Sequence, residues 1–212
     1  MDKPLTLTAV LVIISFALSA FLYPQLPAQL ATHWNAVGDV DGHMPKVVGL
    51  FLLPVIVASV IPLLVLLPQI DPMKANVDLF RVDYHRFIAA FTLFILYMHS
   101  LTLIYNIGWK FNMIQFMSPA LGILFFVTGG LLAKSKRNWF IGIRTPWTLS
   151  DDTTWDNTHK IGAKMFKACG VTAAAGALMP QYAIILILVP ILATTAYTVI
   201  YSYLEYRKLA KK

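Results

Sequence analysis

Charge is scarce in this sequence. Lys, Arg, Asp and Glu together make up 13% of 212 residues, about half the ~25% of a soluble domain. So few charges cannot coat a water-facing surface. Hydrophobic residues reach 58% and the mean hydropathy is +0.68, so the chain is solvated by lipid. Glutamate is nearly missing: Glu205 stands alone beside nine aspartates, which excludes a mechanism built on paired glutamates. The single cysteine, Cys169, excludes an internal disulfide and a multi-cysteine metal site. No internal repeat, low-complexity stretch or soluble domain stands out. The net charge of +7 does not point to nucleic acid as a partner, because the basic residues flank apolar runs, a distribution that orients membrane proteins.

What is abundant is long apolar sequence. A hydrocarbon core ~30 Å thick needs about 20 mainly apolar residues per helix. Six stretches meet this, at 5–23, 47–67, 87–107, 117–133, 162–179 and 182–203. The first follows Lys3 like a secretory leader and is expected to stay as a span. The expected fold is all-α: a polytopic membrane protein of six transmembrane helices in the cell (plasma) membrane. It forms a single integral membrane domain over 1–212, with halves 1–110 and 111–212. Fifteen of the 17 basic residues fall on the even-numbered loops and the two tails, leaving only Lys46 and Lys110 opposite. The positive-inside rule then puts both termini in the cytoplasm. The basic tail from Tyr203 to Lys212 is expected to lie against anionic headgroups, which makes membrane lipids the first expected partner. Small residues at four-residue spacing on span five (Gly162, Gly170/Ala174, Ala173/Ala177) predict close helix packing.

Polar and aromatic residues concentrate in two loops, 24–46 outside and 134–161 inside. The outer one reads Leu26-Pro27-Ala28-Gln29-Leu30-Ala31-Thr32-His33-Trp34-Asn35-Ala36-Val37-Gly38-Asp39-Val40-Asp41-Gly42. His33 is suited to metal binding or proton exchange near neutral pH, Asn35 offers donors and an acceptor, and Asp41 offers a carboxylate. The start Asp39-Val40-Asp41-Gly42 lacks the downstream Glu that an EF-hand requires. The loop is either a capped turn in which His33 and Asn35 tie backbone to helix ends, or a ligand or catalytic site. On span three, Thr92, His99 and Asn106 recur every seven residues with Thr102 between them. That polar stripe sets His99 ~12 Å below the outer end of its helix, facing the bundle interior and toward His33.

The inner loop reads Asn138-Trp139-Phe140-Ile141-Gly142-Ile143-Arg144-Thr145-Pro146-Trp147-Thr148-Leu149-Ser150, followed by Trp155 and His159. Ser150 is a candidate N-cap with Asp151 and Asp152 in the first turn. The helix it starts is expected to run into span five and stack Trp155, His159 and Ala163 on one face. Arg144 is a planar, permanent cation, placed to pin the loop to carbonyls, to bind a lipid phosphate, or to meet a cytoplasmic regulator.

The outer segment resembles the signature of an N-terminal membrane domain of uncharacterised role. The inner segment is similar to the hallmark of the SdpI family, which includes immunity proteins that protect bacteria against a secreted toxin. Two positions depart from that pattern: Ala31 stands where proline is common, and His43 where an aromatic residue is usual. The resemblance implies a non-enzymatic function, toxin immunity or signal transduction, with a peptide toxin bound outside and a transcriptional regulator held inside. The alternative reading is a membrane-embedded hydrolase, peptidase-like, in which His33, Asn35 and Asp41 meet His99. A divalent transition metal on His33 and His99 is its candidate cofactor. A transporter ranks third, because no carboxylate lies within a span to relay protons.

Overall fold

The computed structural model describes residues 3–209, so Lys211 and Lys212 of the basic tail lie outside the described residues. The described chain opens with α1 (Lys3–Leu22), then a hairpin of β1 (Gln29–Trp34) and β2 (Val40–Pro45), then α2 (Lys46–Leu66). The short α3 (Lys74–Asp78) precedes α4 (Arg81–Ile107) and α5 (Met113–Leu132). The one-turn α6 (Pro146–Ser150), α7 (Asp152–Ala175) and α8 (Ala183–Leu209) complete it.

Among the described residues, five segments are long and apolar enough to cross a membrane: Lys3–Gln25, Lys46–Ile70, Arg81–Ile107, Met113–Leu132 and Pro180–Leu209. The expected sixth, 162–179, is differently bounded and of different character. It belongs to the 24-residue α7, whose Asp156, Lys160, Lys164 and Lys167 make it amphipathic rather than apolar. Its buried face carries Trp155, His159, Gly162, Ala163, Gly170 and Ala173. This face lies against α5 and α8. A Cβ on Gly170 would come within 2.6 Å of the Gly122 carbonyl oxygen, and one on Gly122 within 2.5 Å of that of Gly170. The two backbones therefore touch, as the small-residue spacing predicts.

The chain is mostly helical, as expected of an all-α membrane protein, and the outer loop adds one small element: it pairs with itself as an antiparallel hairpin, Leu30 opposite Met44 and Ala31 opposite His43. Alternation drives this: Leu30 turns inward onto Leu26, Leu50 and Leu103, while Gln29 and Pro45 stay exposed. One expectation needs correction: Ser150 is not the N-cap of α7. Pro146–Ser150 closes its own turn, capped by Thr145, and the Ser150 hydroxyl donates to the Pro146 carbonyl. The extended Asp151 then caps α7, its carboxylate accepting from the Thr154 N–H at 2.6 Å.

Contacts between loops sort the bundle into two ends. At one, the Asn112 amide donates to the Val37 carbonyl at 2.8 Å and the Gln115 amide to that of Ala177 at 3.0 Å. This end thus gathers the hairpin, the α4–α5 turn and the far end of α7. At the other, the Trp139 N–H donates to Asp71 and the Asn76 amide to the Arg137 carbonyl, both at 2.8 Å. There too the Asn157 amide, near the start of α7, donates to Glu205 of α8 at 2.8 Å. So α7 runs from one end of the bundle to the other.

Candidate functional site: an outer hairpin and an inner clamp

At the outer end, the structure brings His33 and Asp41 together. Their Nδ1 and Oδ1 are 2.5 Å apart across the hairpin, with the His33 side chain 73% exposed. Asn35 does not join them as a ligand donor. Its side-chain oxygen accepts from the N–H groups of Val37 and Asp39, each at 3.0 Å, so it builds the turn between the strands. The hairpin is held from below by Asn106, whose oxygen accepts from the Ala31 N–H at 2.8 Å and whose amide donates to the Ala31 carbonyl at 2.9 Å. One side chain thereby satisfies both outward-pointing groups of an edge residue, as a third strand would. Trp34 packs edge-on against Tyr105 with ring centroids 5.4 Å apart.

His99 is elsewhere. It is buried in the bundle with its Nε2 2.9 Å from the Ser19 hydroxyl, and that hydroxyl reaches the Leu50 carbonyl at 2.8 Å. With Ser19 donating to Leu50, the histidine is the Nε2–H tautomer and donates to Ser19. It ties α4 to α1 and α2. The cavity beside it measures about 10 Å³ and is lined from α1, α2 and α4 alone, room for little more than one water. The stripe of span three does meet the outer loop, through Asn106 at its upper end rather than through His99. Among the described residues, no group of three or more His, Cys, Asp or Glu gathers as a metal site.

The inner loop is a closed hydrogen-bonded clamp. Asn138 is fully buried and uses both ends of its amide. Its nitrogen donates to the carbonyls of Lys136 at 2.7 Å and Ile141 at 2.9 Å, and its oxygen accepts from the N–H groups of Phe140 at 2.9 Å and Ile141 at 2.6 Å. Thr145 caps α6 in a reciprocal box with Thr148, and its hydroxyl reaches Ser202 of α8 at 3.0 Å. Trp147 lies against Tyr203 of the same helix, centroids 5.1 Å apart.

Beneath the loop, Trp155 and His159 stack with rings 4.0 Å apart and nearly parallel at 16°. The indole N–H donates to the Ser135 carbonyl at 3.1 Å. His159 sits between two backbone groups, with Nδ1 2.8 Å from the Trp155 carbonyl and Nε2 2.9 Å from the Ile143 N–H. Only the neutral ring protonated at Nδ1 serves both. Gly142 makes the close approach possible. Its φ is +120°, and a Cβ there would stand 2.4 Å from His159 Nε2.

Arg144 differs from its neighbours. It is exposed, and its guanidinium donates to the Trp139 carbonyl at 2.7 Å. The residues that sequence reasoning missed are the anchors outside the signatures. Asp71 is buried and accepts from both Met73 N–H at 2.7 Å and Trp139 N–H, locking one inner loop to the other. The Asp71-Pro72 pair marks a turn start in the sequence, but the long-range partner leaves no local sign. Asn112 likewise caps α5 while holding the hairpin turn.

Comparison with known proteins agrees with both loops. Residues 134–202 match the SdpI/YfhL protein family, and residues 10–58 match a domain of unknown function. The chain is 26% identical over 205 residues to the immunity protein SdpI of Bacillus subtilis (strain 168), covering 96% of each chain. No solved structure matches. Five apolar helices and this end-to-end likeness make it a multi-pass protein of the cell membrane. Asn138, Thr145, Thr148, Trp155 and His159 of the inner clamp all lie within the match to the SdpI/YfhL family, and end to end the chain is similar to an immunity protein of that name.

Proposed function

We propose that this protein confers immunity to a peptide toxin by binding it at the outer hairpin, with His33 and Asp41 on the contacting face. The observation that supports this most is the match to an immunity protein over 205 residues. The few residues it leaves out cannot include either whole loop, so the likeness takes in hairpin and clamp together. The hairpin suits recognition because its polar groups are exposed on a support fixed by Asn106 and Asn112. A hydrolytic centre has no observation in its favour, since the two histidines it needs have separate partners.

The same reading makes α7 the sixth crossing and puts both termini in the cytoplasm. At ~1.5 Å per residue its 24 residues span about 36 Å, enough for the bilayer core. The two outer lysines are occupied locally, Lys46 by the Tyr23 carbonyl at 3.2 Å and Lys110 by the Tyr105 carbonyl at 3.0 Å. Among the described residues, the remaining basic residues belong to the other half of the bundle, as the positive-inside rule expects.

The experiment is protection of a sensitive bacterium. Cells that express the chain should survive a secreted peptide toxin, and purified protein should bind that peptide. Survival equal to that of cells without the chain, across the toxins of related bacteria, would overturn the reading. Thiol labelling checks the orientation. Gln29→Cys should react in intact cells and Lys134→Cys only after permeabilisation, with native Cys169 buried and silent.

A further inference from the structure

Three lysines of α7, Lys160, Lys164 and Lys167, follow one another at four- and three-residue spacing and so share a face of the helix. With Lys136 and Asp156 they line an open cavity of about 490 Å³ between α7 and the inner end of α5. Four ammonium groups thus face one carboxylate. Lys136 pairs with Asp156 at 3.1 Å. Among the described residues, Lys160 and Lys164 have no acidic partner, and the Lys167 ammonium lies 5.3 Å from the centre of the Phe126 ring.

The stripe also goes deep. From Lys160 to Lys167 it descends ~10 Å along the helix, beside two helices apolar enough to span the membrane. Unpaired cations at that depth are costly unless an anion or water meets them. Below the lysines the same face turns apolar. Val171, one turn beyond Lys167, is 66% exposed, and Phe126 of the adjoining helix is 52% exposed. Cations above and open apolar surface beneath match a phosphate headgroup with its acyl chains.

We propose that this cavity is a binding site for a phospholipid with two phosphate charges, its phosphates against Lys160, Lys164 and Lys136 and its chains along Phe126 and Val171. The excess of lysine over carboxylate favours a dianionic headgroup over a singly charged one. An acidic segment of a cytoplasmic protein fits less well, because Lys167 lies at the level of the apolar surface, where a water-soluble chain does not reach.

The test uses the whole protein purified in detergent, titrated with cardiolipin, phosphatidylglycerol, phosphatidylcholine and inorganic phosphate. Binding is read by native mass spectrometry and by the shift in thermal midpoint. Cardiolipin should be retained in preference to the other lipids and raise the midpoint. The double variant Lys160→Gln, Lys164→Gln should bind it about thirtyfold more weakly. Both side chains are exposed, so the variant keeps its fold. The variant Lys74→Gln, Arg86→Gln removes the same charge from the same end outside the cavity and should bind as the parent does. Equal weakening by both variants would reduce the effect to diffuse charge and overturn the site. So would a midpoint shift matched by inorganic phosphate alone, or displacement of the lipid by polyglutamate.

Discussion

The outer hairpin and the inner clamp are both signature segments, yet their side chains are used in opposite ways. In the clamp, Asn138, Thr148, Trp155 and His159 are buried and each satisfies backbone or neighbouring groups that would otherwise be stranded. In the hairpin, His33 and Asp41 satisfy one another and face outward, while the structural work falls to Asn35, Asn106 and Asn112. A recognisable motif can therefore mark buried architecture at one end of a molecule and an exposed polar surface at the other. Burial and hydrogen-bond saturation tell the two apart.

The sharpest way to break that contrast is Trp155→Ala. It removes a fully buried indole, its bond to Ser135 and its stack on His159, and should cost about 3–5 kcal/mol, read as a large fall in thermal midpoint in detergent. At the hairpin, Asn106→Ala leaves both Ala31 backbone groups without their partner and should cost about 1–2 kcal/mol, with loosening by hydrogen exchange confined to residues 29–45. The smallest effect belongs to Arg144→Ala. An exposed guanidinium on one carbonyl is worth within about 0.5 kcal/mol to the fold, so a midpoint drop beyond that would return Arg144 to the clamp.

Much of this was legible in the sequence. Long apolar runs located the five helices long and apolar enough to cross a membrane, and four-residue spacing located the Trp155–His159 stack and the α5–α7 contact. The hairpin was not foreseen, because the Gly and Asp residues of 35–42 read as turns while the short alternation around Leu30 was masked by Pro27 and the adjoining span. The Ser150 cap failed because two caps, Thr145 and Asp151, sit within six residues, and only the extended backbone at Asp151 separates their helices. Depth alone placed His99 toward His33. Ser19 on α1, invisible as a partner without the packing, took it instead.

The central claim is that the exposed outer pair recognises the toxin while the inner clamp supports the fold. Its most direct test is the double variant His33→Ala, Asp41→Ala in a sensitive host, with membrane levels, thermal midpoint and survival measured together. The account predicts parental levels and a midpoint within ~0.5 kcal/mol of the parent, with protection lost. Full protection by a normally folded double variant would contradict it.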